Sequence, residues 1–399
     1  MKIGIIWHCV YPWDVRLEKI ADACTEQGHE VCIVSKGGRD LPETDSFRGS
    51  RVVRVFSDQS ALPGWVTRAA RYPLFVNPIW HSALLKTLTC YKIDLIIVRD
   101  LPLAMLAVWV GRHLSTPVIL DMAENYPAAL QAYHNPLYRP FLFNNAWLPR
   151  KYEELSLAQL QHVFVVADEQ KCRLVKLGVP SEKLTLVGNT PTDSFIASSA
   201  EGNVSLPSDS HPHLLYVGKL DRHRGAHLLV RALPALLAEF PKLRLSLVGD
   251  GNDKLRLETL ARETGVMEAV SLPGWIERAK LPALIRESTV CLIPHTRCEH
   301  TDTTLPNKLF DYLAYSKPTI ASDCLPLRRV IEDEDCGTTF RSGDVSSLLA
   351  AIRSLLRDPY LKSKGINGRI AVERKYNWNL DKERLLNALE RVACSWQAP

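Results

Sequence analysis

The chain has 399 residues, 46% apolar and 23% charged, with a formal net charge of +5 and ten cysteines. That length suits two ordinary domains whose cores need no disulfides, and ten scattered cysteines without a C-x-x-C pair argue for reduced thiols, several of them (Cys9, Cys32, Cys291) in apolar runs, over a zinc or disulfide framework. No run of eighteen apolar residues occurs, and the start MKIGIIWHCVYPWDVR has too short an apolar run for a signal peptide, so a cytoplasmic chain without a membrane span is expected.

In chain order, KIGIIW reads as a short buried strand, RLEKIADACTEQGHE as a helix ending at Gly28, and EVCIVS as the next strand. RVVRVF, DLIIVRD, PVILDMAE, HVFVVAD and LTLVGN continue the series, with helical stretches between most of them. Such alternation predicts an α/β domain with a parallel sheet. The polar, Ser/Pro-rich stretch 191–213 reads as an interdomain linker. A second series follows: HLLYVGKL, RLSLVGDG, AVSLPGW, VCLIP, PTIAS and GTTF as strands, with HLLVRALPALLAEF, DKLRLETLARETG and DVSSLLAAIRSLLRD as helices. The expected organisation is a first domain over 1–190, a second over 214–375, and a last helix within 376–399 that packs back on the first. Two doubly wound, Rossmann-like sheets facing each other bind ligands at the carboxyl ends of their strands, so the cleft between them is the expected site.

Charge is unevenly spread. No acidic residue lies between Asp58 and Asp94, where Trp65, Arg68, Arg71, Tyr72, Phe75, Trp80, Lys86 and Lys92 occur. None lies between Glu124 and Glu153, where Tyr133, Tyr138, Arg139, Phe141, Phe143, Trp147, Arg150 and Lys151 occur. Basic, aromatic segments at 61–92 and 126–152 suit an anionic membrane surface, or half-buried helices with a basic outer face. No nucleic-acid-binding module is present.

No G-x-G-x-x-G follows the first strand, and there is no Walker A motif. The turn VGKLDRHRG instead offers Gly218, Lys219, Arg224 and Gly225, two cations five residues apart that suit a diphosphate. In LPNKLFDYLAYSKPTIAS, Pro306 fits the first turn of a helix. Leu309, Phe310, Leu313 and Ala314 share one side of it. Thr304, Asn307, Lys308 and Asp311 share the other, if the first turn starts near Thr304. The helix start suits phosphate, and Asp311 suits a sugar diol rather than phosphate, since like charges repel. His8 stands where the first strand ends, either at the cleft or in the core. His295, His300 and Asp302, and the run EDED at 332–335, do not read as metal sites.

Taken in one order, YVGKLDRHRG, SLVGDGNDKLRLETLA, VSLPGWIERAKLPALIRESTVCLIP and PNKLFDYLAYSKPTIASD closely resemble the donor-binding domain of the family 4 (group 1) glycosyltransferases of GT-B fold. DVRLEKIADACTEQGHEVCIVS looks like that family's first helix and second strand, and ILDMAENYP resembles an acid-containing stretch of members acting on bacterial surface polysaccharides. The resemblance covers nearly the whole chain.

It implies a retaining, metal-independent transferase with no cofactor. A sugar would move from a nucleotide diphosphate donor (UDP by default, GDP as the other candidate) to a hydroxyl of a lipid-linked or saccharide acceptor, at the inner face of the cell membrane. By the same resemblance Lys219 and Arg224 hold the diphosphate beside Gly218 and Gly249. Gly274, Trp275 and Ile276 cradle the base, Asn307 and Lys308 lie beside the transferred sugar or diphosphate, and Asp311 binds the ribose. Thr303, with Thr304 next to it, stands where the family's E-x7-E motif has its first acid, and Lys219 replaces a frequent Arg. On the acceptor side Glu124, and less so Asp121, orient or deprotonate the hydroxyl. Asn125 and Tyr126 contact the acceptor, Asp14 and Arg16 in the first loop either contact the acceptor or order the loop, and Asp100 reads as a structural cap. Two other functions fit the same fold: a nucleotide-sugar epimerase, and a non-catalytic partner subunit that binds nucleotide-sugar.

Overall fold

A computed structural model describes residues 1–38, 40–56, 77–132, 147–200 and 211–396. It divides into two compact units, Met1–Val187 with Asp381–Pro399, and Gly188–Leu380.

The first unit holds β1 (Lys2–Val10), β2 (Glu30–Lys36), β3 (Thr44–Phe47), β4 (Ser50–Val55), β5 (Leu95–Arg99), β6 (Val118–Met122), β7 (His162–Val165) and β8 (Leu184–Leu186). They form one sheet in the order β3-β4-β2-β1-β5-β6-β7-β8. All pairs are parallel except β3 with β4, an edge hairpin that sequence alternation did not reveal. Every residue of β5 and β6 is buried, as central parallel strands covered on both faces require. The core runs from Ile6 and Val34 through Ile96, Val98 and Leu120 to Val163.

The second unit holds β9 (His213–Val217), β10 (Arg244–Val248), β11 (Val270–Gly274), β12 (Val290–Ile293), β13 (Thr319–Ser322) and β14 (Gly337–Phe340). They form a parallel sheet in the order β11-β10-β9-β12-β13-β14. The helix Ala226–Leu237 lays Leu229, Val230, Leu233 and Leu236 on it, each worth about 1.5–3 kcal/mol when fully buried.

The linker expectation needs correction. Asp193–Ala200 is a helix, started by the Thr192 hydroxyl accepting from the Phe195 N–H and held by Ser198 Oγ against Tyr315 Oη at 3.0 Å. Phe195 meets Tyr315 edge to face. One ring contact, one hydroxyl hydrogen bond and a cap outweigh the polar composition; residues 201–210 lie outside the described residues. The last helix, Trp378–Ser395, starts in the second unit, where the Trp378 N–H bonds the Pro191 carbonyl, and from Asp381 onward counts with the first.

All ten cysteines are free thiols. Cys32 and Cys291 are buried, but Cys9 is exposed, because β1 outlasts its buried stretch. Trp80 is core rather than surface, while Lys86, Lys92, Trp147, Arg150 and Lys151 are exposed. Trp65, Arg68, Arg71, Tyr72, Phe75, Tyr133, Tyr138, Arg139, Phe141 and Phe143 lie outside the described residues. Among those described, no helix is long and apolar enough to cross a membrane.

Candidate functional site

In the second unit, the ends of β9, β10 and β11 are tied sideways. The Gly218 N–H bonds the Val248 carbonyl and the Gly249 N–H bonds the Gly274 carbonyl, both at 2.9 Å. A Cβ on Gly249 would stand 2.0 Å from the Gly218 carbonyl oxygen, and Gly249 has φ +137°, so only glycine fits there. Two tyrosines fix the turn after β9. Tyr216 Oη donates to the Lys219 carbonyl at 2.7 Å, and Tyr312 Oη accepts from the Val217 N–H at 2.9 Å.

Cations gather there. Lys219 is exposed at the strand end, and Arg224 is half-buried on the short turn Arg222–Arg224. Arg224 Nη1 reaches His295 Nε2 at 3.5 Å. An arginine only donates, so Nε2 accepts and His295 is neutral. Burial first, then the charges of Arg224 and Lys308, hold His295 well below the usual histidine value. Lys308 comes from the helix Asn307–Ala314, and its Nζ lies 4.2 Å from the Tyr216 ring centroid. Burial and then Arg224 push the Lys308 ammonium well below the ordinary lysine value, with Asp311 opposing. Among the described residues no carboxylate is within ion-pair distance of Lys219, Arg224 or Lys308.

The helix starts at Asn307, not near Thr304, and Pro306 is its cap, extended at φ −78° and ψ 141°. The reason is local. Thr303 Oγ1 donates to the carbonyls of Glu299 and His300, and Thr304 Oγ1 donates to that of His300, which closes a separate turn. Leu305, before a proline, is steered away from helix. Thr303 therefore spends its hydroxyl proton on the backbone and is buried. Asn307 is half-buried, and Asp311 is buried at 7% exposure, one turn in from the helix start. Gly274 (φ +81°) ends β11, and a Cβ there would lie 3.2 Å from Lys254 Nζ. Trp275 is 73% exposed and Ile276 half-buried. Tyr216, Lys254 and His295 were not read from the sequence as parts of this site. Their strand-end or helix-start positions were the only signal.

The first unit gathers charges at the ends of β1, β5 and β6. Arg16 and Asp121, expected at the acceptor and in catalysis, are a buried pair with three contacts of 2.6–3.0 Å, and Arg16 Nη1 also donates to the Val187 carbonyl at 2.9 Å. Burial works against the Asp121 charge, but Arg16 and then Arg99 hold its carboxyl below the usual range. Both residues thus act in the core: their hydrogen-bonding capacity is used and Asp121 has no exposed surface.

Asp14 caps the helix Val15–Glu26 by accepting from the Leu17 N–H at 2.7 Å, and lies 3.6 Å from Arg99. Asn125 also departs from the acceptor-contact expectation. It is fully buried, its Oδ1 accepting from the Ala128 N–H at the start of the helix Tyr126–Ala132. Glu124 is half-buried and Tyr126 faces the His8 ring edge-on at 6.4 Å. His8 lies within β1, and burial followed by Arg99 lowers it to about 4, so it is neutral. Asp100 accepts from the Ala123 N–H at 3.1 Å and meets Arg99 at 2.7 Å, but its side chain does not cap the short turn Leu101–Leu103 that follows it, so the expected cap is absent. Among the described residues, no three metal-ligating side chains cluster.

Two family models match the chain: "Glycosyl transferases group 1" over residues 200–369 and "Glycosyl transferase 4-like domain" over 14–190. The chain belongs to the family 4, group 1 glycosyltransferases. A phosphatidyl-myo-inositol mannosyltransferase of Mycobacterium leprae is 23% identical to it, over 99% of this chain and 98% of that one. Among solved structures, sucrose-phosphate synthase from Thermosynechococcus elongatus is similar, with TM-score 0.78, 20% identity and 99% of both chains covered. The Anabaena protein HepE in complex with UDP is similar too, with TM-score 0.72, 13% identity, and 98% of this chain and 100% of that one covered. The fold is GT-B, as the sequence implied.

Proposed function

We propose that this glycosyltransferase takes a sugar from a nucleotide diphosphate donor, UDP-linked in preference to GDP-linked, and transfers it with retention to a hydroxyl of a lipid-linked or saccharide acceptor. One observation carries the donor half: Arg224 and the Lys308 amino group lie at a helix start beside the turn that carries Lys219, and among the described residues none of the three is ion-paired to a carboxylate. Such a cluster is costly unless an anion completes it, and charge-assisted hydrogen bonds to phosphate are worth about 1.5–3 kcal/mol each.

As the bond from the anomeric carbon to the diphosphate breaks, the electron pair leaves with the diphosphate. Lys219, Arg224 and the amides at Asn307 and Lys308 hold that growing charge. The acceptor oxygen forms the new bond on the same face. Glu124, half-buried where Asp100 and Asp121 are buried, orients or deprotonates the hydroxyl. Asp311 accepts from ribose hydroxyls, and Gly274, Trp275 and Ile276 border the base. Charge stabilisation by these side chains replaces a divalent metal. The similarity to a UDP-bound protein favours UDP, and the similarity to a phosphatidylinositol mannosyltransferase favours a lipid-borne acceptor at a membrane surface.

Calorimetry with UDP, GDP and ADP on the parent, Asp311→Ala and Lys219→Ala tests the donor site. Selective binding of one nucleotide, weakened by both changes and insensitive to chelator, supports the reading. Absence of nucleotide binding, or indifference to both changes, overturns it in favour of a non-catalytic role.

A further inference from the structure

The Lys308 amino group has an unusual setting. Its Nζ sits on the face of the Tyr216 ring, 4.2 Å from the centroid. It fills the space that a side chain at position 218 would take, since a Cβ on Gly218 would be 2.5 Å from Nζ. No oxygen among the described residues accepts a hydrogen bond from it. The groups around it are Tyr216 from β9, Arg224 from the turn after that strand, His295 from the end of β12, and Asp311 from its own helix. Tyr216 is neutral, since burial pushes its hydroxyl further from ionising. His295 is neutral, Arg224 is a like charge, and Asp311 alone favours the ammonium. A quadrupole face is a weak partner for a primary ammonium compared with an oxygen acceptor.

We propose that the donor site takes up a proton from solvent when a nucleoside diphosphate binds, and that Lys308 is the group that receives it. This rests on the donor site proposed above. The step balances simply: the share of the half-buried Lys308 amine that is neutral in the empty site gains one solvent proton, and the resulting ammonium pairs with a diphosphate oxygen. Burial and Arg224 already disfavour the charged amine in the empty site. The incoming anion reverses both effects, offering an acceptor and offsetting Arg224. Donor affinity therefore carries a pH dependence beyond that of the nucleotide, falling as pH rises and leaves the amine unprotonated.

The test is UDP calorimetry in buffers of different ionisation enthalpy, at about pH 8, where the secondary phosphate ionisation (pKa about 6) is complete. The parent is expected to take up a measurable fraction of a proton per UDP, at most about one. Lys308→Arg, which is charged at every working pH, is expected to bind UDP without uptake. Lys308→Met is expected to bind more weakly and also without uptake, which keeps the assignment testable if the arginine does not fit. UDP binding whose heat is independent of buffer overturns the proposal and leaves the donor site standing. Uptake that persists in Lys308→Met, or that appears only below about pH 6 where histidines titrate, assigns the proton to His295 or His223 and also overturns it. Failure of every nucleotide to bind is a different result, and removes the donor site itself.

Discussion

Arg16 closes on Asp121 through Nε at 3.0 and 2.9 Å from the two carboxylate oxygens and through Nη2 at 2.6 Å. Both side chains are essentially inaccessible, and the pair links the first helix to the end of β6. Removing one partner strands a buried charge, which costs about 3–5 kcal/mol. Arg16→Met is expected to lower the unfolding free energy of the first unit by that amount, read from the shift of its denaturant midpoint, and Asp121→Leu added to it is expected to recover part of the loss. The pH sign follows from the lowered carboxyl. Its stabilisation is present above the unfolded aspartate value of about 3.9 and is lost as pH falls through the folded value. Unfolding followed by circular dichroism from neutral to acid pH checks this: Arg16→Met should flatten the acid limb.

Arg224 is expected to carry much of the nucleotide affinity. Loss of one charge-assisted contact worth about 1.5–3 kcal/mol corresponds to roughly 10- to 150-fold. Arg224→Ala should therefore weaken UDP within that range, and Arg224→Lys should recover only part, because the planar fork is lost. Titration at rising salt separates this from misfolding: the parent loses affinity with salt more steeply than the variant.

Gly249→Ala is expected to disable the donor site without touching a ligand. The added Cβ would meet the Gly218 carbonyl at 2.0 Å, in a backbone region closed to alanine. Strain of about 1–3 kcal/mol plus overpacking of similar size should lower the melting temperature of the second unit and abolish nucleotide binding. Gly343→Ala is a control for φ alone, since Gly343 has φ +78° and open space around its Cβ, and should cost stability without loss of binding.

These positions show what the sequence made legible. Short apolar runs bounded by turns placed the parallel strands, because fully buried strands need continuous apolar residues. The edge strand Thr44–Phe47 was missed because three of its four residues are exposed and its pairing comes from the hairpin with β4. Strand-end position placed Lys219 just past β9 and Glu124 just past β6, with Arg224 on the turn that follows β9, and favoured Glu124 over Asp121 with no residue to show why. Both are strand-end acids, and the Arg16 that closes on Asp121 comes from a distant helix. Lys308 was legible as a helix-start cation, but its seat on Tyr216 depends on residues 92 positions apart in the chain and on the missing Cβ of Gly218.

Glu124→Gln is expected to separate chemistry from donor binding. The side chain keeps its shape and loses its charge. With an acceptor in hand, kcat should fall by about 10²–10⁴, the usual contribution of a positioned acid or base. UDP affinity should stay at the parent value, because the change lies in the other unit from the cationic cluster. A drop in UDP affinity matching the drop in rate would remove Glu124 from the acceptor chemistry.

Asp100 should act on stability with the opposite sign to Asp121. It is buried, and burial first, opposed by Arg99 and reinforced by Glu124 and Asp121, raises its carboxyl to about 7. An acid that ionises at about 3.9 when unfolded and near 7 when folded binds more protons in the native state, so stability falls as pH rises between those values. Its backbone, at φ +62° and ψ 166°, is also strained for an aspartate. Asp100→Asn keeps an oxygen for the Ala123 N–H and removes the titration. It is therefore expected to gain stability relative to the parent as pH is raised from about 4 to about 8, by an amount that grows across that window. Thermal unfolding of both proteins at several pH values reads the difference directly. A constant gap would mean that the Arg99 ion pair keeps Asp100 charged throughout.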